Sequence, residues 1–120
     1  MTTPDELRTL ADRVEAGEDG YPLETEVRIA VRPFLGRECG GLVDDDGRFS
    51  LDVCEALRRE MLPGWLVEGL TQDYDGTWCL DFLPPKNARC LGQTAEAPTE
   101  PAARLAAVLR ALAAEKETDR

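Results

Sequence analysis

Residues 49–85 constrain the fold more than any other stretch, because their pattern is that of one helix followed by a β-hairpin. Ser50 is a residue type that caps helices. Val53, Leu57 and Met61 then recur every four residues, which places them on one side of a helix. The stretch therefore begins with an amphipathic helix that turns one face toward a core.

A hairpin is predicted directly after this helix, which ends at Leu62-Pro63-Gly64. Two apolar-rich runs, residues 65–70 and 78–83, flank a polar segment that contains Asp75-Gly76, a strong turn signal. Apolar and polar residues alternate in the second run, so one face of that strand is the more apolar. We therefore expect two antiparallel strands with one face toward the core.

Further elements are predicted on both sides of this stretch. Thr3-Pro4, with Glu6 three residues after the threonine, is typical of a helix start. Residues 88–95 can supply a third antiparallel strand, which belongs at a sheet edge because Gly92 weakens it. Residues 97–101 open a last helix that is rich in alanine and leucine. Alanine permits a close approach of this helix to a sheet.

The segment from Tyr21 to Leu35 fits two periods. Val27, Ile29 and Val31 alternate with other residues as in a strand, and their β-branched side chains suit one. The same segment also carries apolar residues at helical spacing, with acidic residues early, basic residues late and Pro33 near its end. We interpret it as a helix, and the strand remains the alternative.

Residues 36–48 are predicted to form an exposed loop, or a short hairpin around Asp46-Gly47. The run Asp44-Asp45-Asp46-Gly47 invites a divalent-metal interpretation. It lacks the alternating spacing and the terminal glutamate of a calcium loop, so a solvated turn is favoured. No metal site is predicted.

Catalytic chemistry is not indicated by the residue types present. The chain has no histidine, and its single serine, Ser50, is better explained as a helix cap than as a nucleophile. The four cysteines, Cys39, Cys54, Cys79 and Cys90, include no CxxC pair and are expected as free thiols packed like small apolar groups. We therefore predict a protein that is not an enzyme and that carries no cofactor.

Negative charge is concentrated early in the chain. Residues 1–48 hold 12 acidic and 6 basic side chains, a net −6 out of the −10 of the whole sequence. Such a surface repels phosphate backbones, so direct nucleic-acid binding is disfavoured, while a basic protein is attracted. The residues selected to bind such a partner are Glu15, Glu18, Asp19, Glu38, Asp44, Asp45 and Asp46.

A small-ligand pocket under the hairpin is the alternative site. It would use both tryptophans as a stacking wall and the sparse cations around them: Trp65, Trp78, Arg58, Arg59, Lys86 and Arg89. A core role is favoured for the tryptophans, because each begins a strand and Trp78 heads its apolar face. An oligomer with a basic, aromatic-lined pocket would favour this alternative.

The first residues, Met1-Thr2-Thr3-Pro4, have neither a basic region nor an apolar core, so no signal peptide is predicted. The apolar runs near the C-terminus are far shorter than the ~20 residues that span a bilayer. We therefore expect a cytoplasmic protein that does not bind membranes.

Packing and turn residues along most of the chain carry a family resemblance. They are Ser50, Leu51, Asp52, Ala56, Leu57, Pro63, Gly64 and Trp65, followed by Thr99, Pro101, Ala102 and Leu105. In this order the chain resembles the phage ABA sandwich domain, a group of small phage and prophage proteins. The resemblance implies a phage origin and an antiparallel sheet between helices, and it implies no chemistry.

Together these patterns predict an α+β fold over residues 1–114, with residues 115–120 as a frayed tail. The fold is a three-stranded antiparallel sheet packed between helices, a helix–sheet–helix sandwich. The predicted function is that of a non-catalytic phage accessory protein in the host cytoplasm. It binds a host protein with a basic surface, as an acidic mimic of nucleic acid that inhibits a defence factor. The alternatives are a protein that sequesters nucleotides or small ligands and a structural or assembly component, and the oligomeric state stays open.

Overall fold

Four helices and three strands follow one another in residues 2–118, the part of the chain that the computed structural model describes. Their bounds are α1 (Pro4–Glu15), α2 (Tyr21–Leu35), α3 (Leu51–Met61), β1 (Leu66–Gln72), β2 (Trp78–Leu83), β3 (Gln93–Ala97) and α4 (Glu100–Thr118). The strands form one antiparallel sheet in the order β1-β2-β3, and helices pack against it. The predicted α+β fold with a three-stranded antiparallel sheet is confirmed.

Helix starts follow the expected residues, with one difference in how they are capped. The Oγ1 of Thr3 accepts a hydrogen bond from the Glu6 N–H at 3.2 Å, and Pro4 occupies the first turn of α1. Ser50 does stand at the N-cap position of α3, but its side chain makes no capping hydrogen bond. Its backbone N–H instead donates to the carbonyl of Leu42 at 2.9 Å. The side-chain cap predicted for Ser50 is therefore wrong, and the backbone bond ties the start of α3 to the preceding loop.

Helix α2 confirms the helical interpretation of its segment. Val27 and Val31 are fully buried, whereas Ile29 between them is 63% exposed, which is the pattern of a helix and not of a strand. The helix ends at Gly36, whose φ of 71° lies in the left-handed region and whose N–H donates to the carbonyl of Arg32 at 3.0 Å. The early acids and late bases are thus aligned with the helix dipole.

The sheet is a meander in which β2 is the central strand. Residue pairs run from Leu66 opposite Leu83 to Gln72 opposite Trp78, with a bulge between Val67 and Gly69. Strand β3 pairs only with β2, so it lies at an edge as predicted. Its bounds differ from the prediction of residues 88–95, because β3 spans Gln93–Ala97 and begins after Gly92. Trp78 begins β2, whereas Trp65 immediately precedes β1, so the hairpin register sets the two tryptophans at opposite ends of the sheet.

Helix α4 forms the middle layer of the molecule. It packs against β2 and β3 on one side and against α1 on the other, and α3 also contacts it. Eleven of its nineteen residues are buried, and seven of the eleven are alanines, which allow neighbouring elements to approach closely. The opposite face of the sheet carries exposed residues such as Asp81 and Leu83.

None of the helices in residues 2–118 combines the length and the apolar composition needed to cross a membrane.

The C-terminal boundary differs from the prediction. Helix α4 continues to Thr118, so the predicted domain end at residue 114 falls too early, and residues 115–118 are helical. The indole N–H of Trp65 donates to Oε1 of Glu115 at 2.9 Å, and the Lys116 ammonium lies 5.7 Å from the centre of the Phe34 ring. These contacts hold the last turn, while positions 119 and 120 lie outside the described residues.

The loop over residues 36–48 is less exposed than predicted. Leu42 is fully buried and Cys39 is 5% exposed, so both contribute to the hydrophobic core. The expected short hairpin is present: Val43 pairs with Phe49, and the Asp44 N–H donates to the Arg48 carbonyl at 2.7 Å. The loop therefore has a buried root and an exposed acidic tip.

Candidate functional site

Two acidic turns meet at one end of the molecule. The turn after α1 contains Glu18 and Asp19, and the hairpin tip contains residues 44–46. The N–H of Gly20 donates to the carbonyl of Gly47 at 3.0 Å, which joins the two turns directly. This bond brings together carboxylates that are about 25 positions apart in the sequence. Five of the seven residues selected for partner binding thus lie in adjoining turns.

Within the hairpin tip the three aspartates have different roles. Oδ1 of Asp44 accepts hydrogen bonds from the N–H groups of Asp46 at 2.9 Å and Arg48 at 3.1 Å, so this carboxylate shapes the turn. Asp45 and Asp46 are exposed. Their side chains form no ion pair with the described part of the chain. These two carboxylates are therefore available to a partner.

The turn after α1 contains one carboxylate with an ion pair, Glu18, and one without, Asp19. Arg13 donates from Nε to Oε2 of Glu18 at 2.9 Å and from Nη1 to Oε2 of Glu26 at 2.6 Å. The hydrogen bond to Glu18, followed by that to Glu26, raises the pKa of the Arg13 guanidinium. Asp19 is exposed and has no ion pair within residues 2–118. Glu26 is not among the residues predicted to bind a partner, although its charged side chain on the outer side of α2 could have indicated it.

Glu15 has a structural role, contrary to the prediction that it binds a partner. Its side chain is only 19% exposed and accepts a hydrogen bond from Nε of Arg110 at 2.8 Å. Its other oxygen accepts the backbone N–H of Glu96 at 3.0 Å, on the outer edge of β3. The carboxylate thus covers part of an open sheet edge and anchors α4 to α1.

Glu38 does not join the acidic turns. It follows the C-terminal end of α2, whereas Glu18 and Asp19 precede the N-terminal end of this helix. The segment after α2 folds back along this helix, because Nε of Arg28 donates to the Cys39 carbonyl at 2.9 Å, so Glu38 lies beside α2 and not in the joined turns. Its carboxylate is 3.5 Å from a guanidinium nitrogen of Arg32. Glu38 is therefore separate from the joined turns, and its contact with a partner stays a prediction.

The alternative ligand pocket is not assembled. Trp65 is 1% exposed, and its ring packs against Phe82 with 5.0 Å between the ring centroids, which confirms the core role favoured for it. Arg58 donates to Glu55 at 3.1 Å and to the Trp65 carbonyl at 3.0 Å, so it is held by the protein itself. Trp78 lies at the far end of the sheet from Trp65. The six residues predicted for this pocket therefore do not surround one cavity.

The remaining cations of that set are exposed and separate from the tryptophans. Arg59, Lys86 and Arg89 are all on the surface. Arg89 borders a shallow depression of about 760 Å³ together with Met61 and Glu115. Neither tryptophan lines this depression, so a stacking wall for a nucleotide base is missing there.

The two buried cysteines, Cys39 and Cys54, are not in the state of activated nucleophiles. Burial raises the pKa of the Cys54 thiol to about 12, and burial also raises the pKa of Cys39. Both thiols therefore stay protonated at neutral pH, whereas a reactive cysteine needs a thiolate. Among residues 2–118, no three acidic or cysteine side chains are grouped closely enough to hold a metal ion.

Comparison with known proteins adds no relative: no family model matches the chain, and no curated protein or solved structure shows significant similarity to it. The resemblance to the phage ABA sandwich domain therefore stays a prediction from the sequence motifs. The candidate site rests on geometry alone, and it is the pair of joined turns that exposes Asp19, Asp45 and Asp46, with Glu18 beside them.

Proposed function

We propose that this protein acts by binding a basic protein partner through the acidic surface, defined as Glu18, Asp19, Asp45 and Asp46. The hydrogen bond between Gly20 and Gly47 carries the proposal, because it unites two turns that are both acidic. Isolated surface carboxylates are common and only keep a protein soluble. Several exposed carboxylates on joined turns create a local negative potential, which attracts and orients a cationic partner.

The proposal extends to the role predicted from the sequence, that of a phage protein which inhibits a host protein. The partner is a host protein with a basic surface, and the protein inhibits it as a non-catalytic phage accessory factor in the host cytoplasm. The motif resemblance supports the phage origin. The carboxylates support the mimicry of nucleic acid, because they present negative charges to a site lined by arginine or lysine where phosphates otherwise bind.

Affinity capture from host lysate with a matched pair of variants tests this proposal. Asp45→Asn/Asp46→Asn removes two charges from the acidic surface, and Glu68→Gln/Asp81→Asn removes two from exposed positions of the sheet. We expect the wild type and the sheet variant to capture the same basic protein at low salt. The turn variant binds that protein roughly tenfold more weakly, since two close charge pairs are lost.

Quantitative binding of the captured protein at increasing salt completes the test. The affinity should fall steeply with salt, because the attraction is between exposed charges. A captured partner that stays bound unchanged at high salt would contradict the proposal. Equal weakening by the two double variants would also contradict it, since binding would then follow net charge and not this surface.

A further inference from the structure

An open groove of about 440 Å³, here called the α1–α2 groove, lies between helices α1 and α2. Leu10 and Ala30 lie on its floor and are almost fully buried. Ile29 stands on its border with 63% of its surface exposed. An apolar floor with an exposed branched side chain at its border is a surface on which another apolar side chain gains by burial.

The groove is held open by contacts at both ends. The hydroxyl of Thr2 donates to the Ala30 carbonyl at 2.8 Å in a buried hydrogen bond that joins the start of the chain to α2. Arg13 reaches from α1 to Glu26 on α2 at 2.6 Å. Both bonds fix the separation of the two helices, so the cavity exists before anything binds in it. Preformed cavities of about 300 to 1,000 Å³ are typical of binding sites.

The border of the groove is acidic. Asp5, Glu6 and Glu26 line it, and Arg13 is the cation among its lining residues. Arg13 is bonded to Glu26 and to Glu18, and Arg8 outside the lining lies 3.7 Å from Asp5. The lining therefore keeps a net negative charge, and Glu6 is its carboxylate without an ion pair among residues 2–118. Because Glu18 also belongs to the acidic surface, the negative border of the groove continues into that surface.

This charge pattern decides between the candidate occupants. A second copy of the chain would set carboxylates against carboxylates in a protein of net charge −10, which is unfavourable. Nucleic acid is repelled for the same reason. A basic protein segment with one apolar side chain satisfies both the acidic border and the apolar floor.

We propose that the α1–α2 groove is the anchoring site for a basic segment of the protein partner, which inserts one aromatic or aliphatic side chain beside Ile29. The inference rests on the proposed function and adds to it a specific apolar contact. The acidic surface steers the partner, and the groove supplies a buried anchor of the kind that dominates the energy of protein interfaces.

Two synthetic peptides test the groove: a short lysine-alanine peptide with one central phenylalanine, and the same peptide with serine in that position. We expect the phenylalanine peptide to bind the wild-type protein roughly tenfold more tightly, because only its ring is buried in the groove. Amide chemical shifts from an NMR titration should change around Thr9, Glu26 and Ile29.

Matched variants identify the contact. Ile29→Ser should reduce the affinity for the phenylalanine peptide to that for the serine peptide. Leu91→Ser also replaces an exposed apolar residue, one that is 82% exposed and outside the groove, and it should leave both affinities unchanged. Equal effects of the two variants on the phenylalanine peptide would overturn the groove as the anchoring site.

The outcomes separate this inference from the proposed function. If both peptides bind equally, with a salt-sensitive affinity that Asp45→Asn/Asp46→Asn weakens, the acidic surface stands and the groove is overturned. If neither peptide binds at low salt, both proposals are overturned. Tighter binding of the phenylalanine peptide that is lost only in Ile29→Ser supports the groove.

Discussion

Glu24 shows how one side chain determines the position of the loop over residues 36–48. Its carboxylate is 4% exposed, and Oε2 accepts the N–H groups of Leu42 at 2.7 Å and Val43 at 3.0 Å. Those two residues form the root of the hairpin that carries the aspartates of the acidic surface. A buried carboxylate is costly unless it is hydrogen-bonded, and here both donors come from the backbone of one loop.

We therefore predict that Glu24→Ala lowers the free energy of unfolding by about 2 to 3 kcal/mol, because the buried N–H of Leu42 and the partly buried N–H of Val43 lose their acceptor. Glu24→Gln keeps an acceptor oxygen and should cost less. Urea denaturation gives the stability, and amide exchange of Leu42 and Val43 reports on the loop itself. Unchanged exchange of both amides in Glu24→Ala would show that the loop does not depend on this carboxylate.

A network of charged residues joins helices α3 and α4. Glu55 of α3 accepts hydrogen bonds from Arg58 at 3.1 Å and from Arg104 of α4 at 2.6 Å. Arg104 also bonds Glu100 at 3.0 Å, and Arg58 donates to the Trp65 carbonyl. Burial of the Glu55 carboxylate opposes its ionisation, but the hydrogen bonds from Arg58 and Arg104 outweigh burial and lower its pKa.

This lowered pKa makes the contact between the two helices sensitive to acid. The Glu55 pKa is below its ordinary value of 4.5 in the folded protein, so the carboxylate stabilises the fold above that pH. The stabilisation is lost as the pH falls through the lowered pKa. We expect Glu55→Gln to show a weaker decline of stability than the wild type between about pH 5 and pH 3.

The measurement is the free energy of unfolding in urea at several pH values in that range. Glu68→Gln, at an exposed position of β1, is the control and should keep the wild-type pH dependence. Parallel curves for the wild type and Glu55→Gln would mean that ionisation of Glu55 does not stabilise the folded state.

At the scale of the whole molecule, α4 couples parts that would otherwise be separate. The sheet and α1 lie on different sides of this helix, and among the three described strands only β3 contacts α1. Leu105, Leu109 and Leu112 of α4 are buried in one continuous hydrophobic cluster that also contains Leu7 and Phe82. The stability of the sheet and that of the outer helices therefore depend on the same core.

We predict that Leu109→Ala lowers the free energy of unfolding by about 2 to 5 kcal/mol, through lost burial and the cavity left behind. Amide exchange in α1 and in β2 should accelerate together, because both pack on α4. Leu91→Ala, at a position that is 82% exposed, is the control and should change stability by less than about 0.5 kcal/mol. Acceleration confined to α1 would indicate that the sheet is stable without α4.

Much of the fold could be predicted because its signals are local. The turn at Asp75-Gly76, the proline at the start of α1 and the helical spacing of Val27 and Val31 each act within a few residues. The two acidic turns could also be predicted as candidate binding residues, because their aspartates and glutamates are close together in the sequence. Their meeting could not be foreseen, because it depends on how α1, α2 and the loop over residues 36–48 pack together.

The sequence alone determined the order of helices and strands, the position of the hairpin turn and the excess of negative charge, because these depend on local backbone preferences and on composition. Only the tertiary structure decided which charges remain free. Glu15 meets Arg110, 95 positions further along, whereas Asp19 and Asp45 stay exposed on joined turns. Such pairings follow from long-range packing of the helices around α4, which no local pattern in the chain encodes.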